Sequence, residues 1–215
     1  MREKTVLMVA LLMAAAGVTS AGTLATDPDA LVWDGQTWQG TEYLASGNLS
    51  ATVDWVVLHE DDWSYSGYTP TSDPNNPSLP VYCYAYQIWC TNSDDVMRFW
   101  VGMLESNEAR ELGTFTVDAG DASAIAPDGP NGLEGSPVDS ANWRWSSGLS
   151  NGEHSIGLVY TSVNVPITDF LAMGWVQDGG TSAGWLMATP GNEIPEPTTL
   201  GLLAIGIVGL LRRRR

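Results

Sequence analysis

Between residues 51 and 188 the chain is a succession of short aromatic and β-branched runs, each soon closed by Gly, Pro, Asn or Asp. No long stretch places apolar residues at the 3.6-residue spacing of a helix, so the pattern calls for strands. Strands are expected over 51–58, 81–91, 96–104, 112–118, 142–146, 155–162, 171–177 and 184–188. In the run 97–103, Met97, Phe99, Val101 and Met103 alternate with Arg98, Trp100 and Gly102, which assigns the odd positions to a core face. Residues 92–95, Asn-Ser-Asp-Asp, read as a turn, and the strands on either side are expected to pair as a hairpin. Loops are expected over 69–80, with four prolines, and over the Gly/Pro-rich 126–137. No internal repeat is evident, which disfavours propellers and solenoids. The expected fold is all-β: a two-sheet antiparallel sandwich, jelly-roll or immunoglobulin-like, occupying residues 22–190.

The two ends have a different character. Arg2 and Lys4 precede an apolar run over 5–16, and small residues follow at Thr19, Ser20 and Ala21. This is the layout of a signal peptide, expected to be cut after Ala21 by signal peptidase. At the other end, Pro195-Glu196-Pro197 breaks regular structure, an apolar segment runs from Thr198 to Leu211, and Arg212, Arg213, Arg214 and Arg215 follow. As a helix the apolar segment would span roughly 21 Å against a hydrocarbon core of about 30 Å. It is short for a lasting span, although snorkelling arginines could close the gap. The arginines are expected to stay cytoplasmic, with the bulk of the chain outside. A simple tail anchor is the plain alternative.

Pro195-Glu196-Pro197, the apolar segment and the terminal arginines resemble a PEP-CTERM sorting signal. The resemblance implies a single transmembrane sorting helix within 191–215, recognition by a membrane-embedded exosortase, removal of the tail, and delivery to the envelope, cell surface or exterior. Membrane association would then be transient or tail-anchored. Two further stretches are similar to the paired strands common in PEP-CTERM ectodomains, which are thought of as β-sandwiches. One joins Tyr84–Ile88, Asp94-Asp95 and Phe99–Val101; the other runs from Trp145 to Pro166.

With both signals set aside, the stretch from Gly22 to Ile194 has no lysine and three arginines, Arg98, Arg110 and Arg144. Of the chain's 25 acidic residues, all but Glu3 and Glu196 fall within it, leaving 23 and a net charge of −20. So acidic a surface repels nucleic acid and anionic lipid, but allows cations and neutral glycans. It also serves simply as a soluble secreted surface.

Cys83 and Cys90 are the only cysteines, in a chain whose export permits disulfides. On one strand they would lie about 23 Å apart and on opposite faces, whereas a disulfide needs Cα atoms within about 7 Å. Either a tight hairpin bends near residues 85–87 or the thiols are unbridged, and the lack of turn residues favours the second. His59 beside Glu60-Asp61-Asp62, and His154 between Glu153 and Ser155, supply acid–base residue types. Neither sits in a nucleophile elbow or a zinc-ligand spacing, so no catalytic residue is assigned and no enzyme is expected.

Two kinds of ligand fit the composition. Oxygen donors at Asp61 and Asp62, at Asp94 and Asp95, and at Asp118 and Asp121 form a calcium candidate; no cofactor is required, and no segment matches an EF-hand loop. The ten tryptophans suggest stacking on sugar rings, although most must be core. Trp33, Trp38 and Trp63, in polar and glycine-containing surroundings, are the expected carbohydrate contacts. Two readings result: a structural or interaction protein of the cell surface or matrix, and a carbohydrate-binding module for envelope polysaccharide, with or without calcium support.

Overall fold

The computed structural model describes residues 23–71, 79–103, 109–129, 131–135, 138–167, 174–185 and 189–190. After a 3-10 turn over Thr23–Thr26 come β1 (Val32–Trp33), β2 (Gln36–Thr37), β3 (Gln39–Ser46), β4 (Leu49–His59), β5 (Tyr82–Cys90), β6 (Val96–Gly102) and β7 (Ala109–Phe115). There follow β8 (Gly132–Gly135), β9 (Val138–Leu149), β10 (Gly157–Ser162), β11 (Pro166–Ile167), β12 (Gly174–Asp178), β13 (Thr181–Trp185) and β14 (Thr189–Pro190). Two five-stranded antiparallel sheets dominate, with strand orders β3-β4-β5-β10-β7 and β13-β12-β6-β9-β8. The small pairs β1-β2 and β11-β14 stand beside them.

Turn chemistry sets the local pairings. Asp34 and Gly35 both adopt positive φ, 51° and 73°, the mirror-image turn that matches strand twist in a two-residue hairpin, here β1-β2. Gly47, at φ 63°, makes the β3-β4 reversal, where Ser46 pairs with Leu49.

The core lies between the sheets. Val53, Trp55, Tyr84, Tyr86, Ile88, Leu158 and Tyr160 of the first sheet meet Phe99, Val101, Trp143, Trp145 and Val176 of the second. The back of the first sheet is covered as well. Val56, Leu58, Cys83, Ala85, Val159 and Phe115 of this sheet pack under Leu24 and Ala30, with half-buried Trp63, Tyr65 and Tyr68 at the margin. Covering on both faces explains why β4, β5 and β10 are buried almost without alternation. Among the described residues the second sheet is covered on one face. There the alternation expected in 97–103 holds from Arg98 to Met103, with Phe99, Val101 and Met103 inward and Arg98 and Trp100 outward. It fails at Met97, because a register shift between Val96 and Arg98 puts Val96 in the core and leaves Met97 half-buried beside Arg98 at the outer face.

Most expected strands are present, with shifted ends. The run 112–118 is displaced to Ala109–Phe115, and 142–146 extends to Val138–Leu149. Residues 171–173 and 186–188 lie outside the described residues. The expected hairpin of 81–91 with 96–104 does not form: β5 pairs with β4 and β10, and β6 with β12 and β9. The turn at 92–95 carries the chain from one sheet to the other. The segment 126–137, expected as loop, contains β8. The immunoglobulin order moves its third strand to the second sheet, whereas β3, β4 and β5 are successive neighbours in one sheet. Cys83 and Cys90 sit on β5, buried and unbridged, Cys83 facing the covered back and Cys90 the central core. Arg98, Arg110 and Arg144 all lie within strands, β6, β7 and β9.

Candidate functional site

The outer face of the second sheet is built from three cross-strand rows. Register places Gly184, Trp175, Trp100, Asn142 and Gly132 side by side across β13, β12, β6, β9 and β8. Trp100 and Trp175 are both half-buried and stack with ring centroids 5.5 Å apart and planes 15° from parallel. A Cβ at position 184 would fall inside the Trp175 ring, so glycine is what lets that ring lie down on β13. On the other side, buried Asn142 donates from Nδ2 to the Gly132 carbonyl at 2.8 Å and fixes β8 to β9.

The second row is Ser182, Gln177, Arg98 and Arg144. The third contains Gly102, Ser140 and Glu134. Glu134 bridges the arginines: its Oε2 accepts from Arg98 Nη2 at 2.8 Å and its Oε1 from Arg144 Nη2 at 3.2 Å. Two clefts open here. One, of about 350 Å³, is lined by Arg98, Trp100, Glu134, Ser140, Gln177 and Ser182. The other, of about 420 Å³, runs past Arg98 and Arg144 to Trp145, Gln177 and Asp178. Arg98 lines both, and its buried Nε has no hydrogen-bond partner among the described residues. A flat aromatic pair beside donors and acceptors in fixed positions can hold a ligand with one apolar face and a polar rim.

The tryptophans expected to be exposed are elsewhere and structural. Trp38 is a core residue whose Nε1 donates to the Trp33 carbonyl at 3.2 Å, and Trp33 is half-buried against the same core. Trp63 is half-buried in the second cluster, with its ring against Tyr65 and Phe115 and its Nε1 donating to the Tyr68 carbonyl. Their polar neighbours in sequence occupy the opposite side of an extended chain and say nothing about the ring itself. Trp100 was the legible one, since alternation in 97–103 turns it away from the core.

The expected acidic ligands are dispersed. Asp61 and Asp62 are exposed on the 3-10 turn Glu60–Asp62; Asp94 and Asp95 lie on the crossing between the sheets. Asp118 Oδ1 accepts from the Gly120 amide, and Asp121 is taken up by Ser123 and His154. Among the described residues no three His, Cys, Asp or Glu side chains gather as a metal ion would need.

The histidines serve the fold. His59 Nδ1 accepts from the Asp61 amide and its ring meets the Tyr82 edge. Buried His154 stacks on Trp89 at 4.1 Å, while its Nε2 lies 2.5 Å from Asp121 Oδ2. Hydrogen bonds from the Ser123 hydroxyl and from His154 hold the Asp121 carboxyl down at about 2. This clamp, with Ile125 N donating to the His154 carbonyl, ties the loop after β7 to the first sheet.

The expected signal peptide, Pro195-Glu196-Pro197, the sorting helix and Arg212 to Arg215 fall within 1–22 and 191–215, outside the described residues. Among the described residues no helix is long and apolar enough to cross a membrane. No curated protein and no solved structure gives a significant match to the chain. The family model of the PEP-CTERM protein-sorting motif matches residues 193–215. The chain therefore carries a PEP-CTERM protein-sorting motif, which marks an exported protein sorted by an exosortase to the cell envelope or surface.

Proposed function

We propose that the mature protein is a non-catalytic interaction protein of the cell surface or extracellular matrix, and that it holds envelope polysaccharide on the outer face of its second sheet. One observation carries this reading: the Trp100–Trp175 stack stands half-open on a sheet face that no other described residues cover, ringed by Arg98, Glu134, Ser140, Gln177 and Ser182. Sugar rings have apolar faces and hydroxyl edges, and such a site offers a partner to each. Among the described residues the first sheet offers no equivalent, because much of its outer face is covered by the chain's own Leu24, Ala30, Trp63 and Tyr65. Signal peptidase acting near Ala21 and an exosortase acting at the tail would deliver residues 22–190, with the membrane engaged in passing.

The test is a glycan array probed with tail-processed protein, with and without chelator. Binding to polysaccharide is expected, with Trp100→Ala and Trp175→Ala each weakening it about tenfold, or about 1.4 kcal/mol. Loss of binding on chelation would mean that a divalent cation supports the binding. No binding in either condition overturns the polysaccharide reading.

A further inference from the structure

We infer that this face selects neutral polysaccharide and rejects uronic-acid polymers, with Glu134 setting the choice; the inference rests on the polysaccharide reading above. Two of the three arginines between Gly22 and Ile194 stand opposite each other in register, Arg98 against Arg144, in a stretch of net charge −20. Left alone, such a pair is a carboxylate receptor, because a guanidinium fork fits a carboxylate. Glu134 already fills that place, with one oxygen on each arginine, at 2.8 and 3.2 Å. A ligand carboxylate would have to displace it or sit beside a like charge.

The surrounding charges point the same way. Asp178 lines the second cleft with Arg98 and Arg144, and Asp128 Oδ1 accepts from the Ser146 amide at the same edge. With a Debye length of about 8 Å at physiological salt, these neighbours govern what approaches, more than the distant remainder of the acidic surface.

Neutral hydroxyls suit what remains. The outer lone pairs of Glu134 offer acceptors, and Gln177 and Ser182 supply both donors and acceptors. A hydroxyl pair can donate to the carboxylate while accepting from the guanidinium, which a carboxylate cannot do. The stacked Trp100 and Trp175 take the apolar ring face with no requirement for charge.

The experiment compares tail-processed protein binding to a β-linked glucose oligosaccharide and to a β-linked glucuronic acid oligosaccharide of equal length. Native protein is expected to bind the neutral ligand at least tenfold more tightly, with an affinity unchanged from low to high salt. Glu134→Gln is expected to free Arg98 and Arg144 and raise glucuronate binding at least tenfold, in a salt-sensitive way. Native protein binding both ligands equally, or the acidic one more tightly, overturns the selectivity and leaves the polysaccharide reading standing. Binding of neither oligosaccharide by native protein, nor of any glycan on the array, overturns both. The comparison on native protein decides the selectivity even if the Glu134 variant does not fold.

Discussion

At the scale of single residues, Asp121 couples stability to acid. Its carboxyl sits at about 2, drawn down by the Ser123 hydroxyl and then by His154, against an ordinary aspartate value near 3.9. A lowered value means the folded state prefers the carboxylate. The resulting stability is therefore complete above about pH 4 and drains away as pH falls toward 2. Asp121→Asn is expected to flatten that part of the melting-temperature profile, read by circular dichroism across the acid range. A variant that loses stability with falling pH as steeply as the native protein would sink the assignment. Single residues were also where the sequence was least legible. Trp38 stands among the polar Gln36, Thr37 and Gln39 yet is core, whereas Trp100 stands between Phe99 and Val101 yet faces outward. Composition around a tryptophan does not report which way its strand is turned. Alternation does, and from Arg98 to Met103 it shows the direction.

Among elements, strand existence was legible and strand partnership was not. The runs at β4, β5, β6, β9 and β10 announce themselves through aromatic and β-branched content. Whether the turn at 92–95 folds β6 beside β5 or sends it across the sandwich depends on contacts with β9, β10 and β12, all distant in sequence. The same distance hid the candidate site, whose members come from β6, β8, β9, β12 and β13. β8 was hidden by its glycines, which read as loop but lie where it pairs with β9. The β12-β13 pair offers a test at this scale. Gly184→Val would push a side chain into the Trp175 ring, and overpacking of this kind costs about 1–3 kcal/mol. The expected outcome is a lower urea midpoint with the slope unchanged, together with a lost or weakened glycan signal. A variant that binds and unfolds like the native protein would mean that Trp175 does not depend on that glycine.

For the whole molecule, the sorting motif over 193–215 and the sandwich answer different questions, destination and surface. Intact-mass measurement of envelope-associated protein is expected to give a C-terminus upstream of Thr198, and a mass that retains Arg215 would overturn processing. What is left after processing has three basic positions in all, and the fold has placed every one inside a paired strand. β6 and β9 are bonded on both sides and β7 along β10. A protease that cuts after arginine must first take a free extended segment into its cleft, so each of these bonds would have to be lifted out of the sheet beforehand. Digestion should therefore run no faster than the sandwich opens. Trypsin is expected to leave the folded protein intact for as long as it stays folded, and early cleavage after Arg98, Arg110 or Arg144 would contradict this. In the space outside a cell, where secreted proteases meet every exposed chain, this placement of charge becomes a form of endurance.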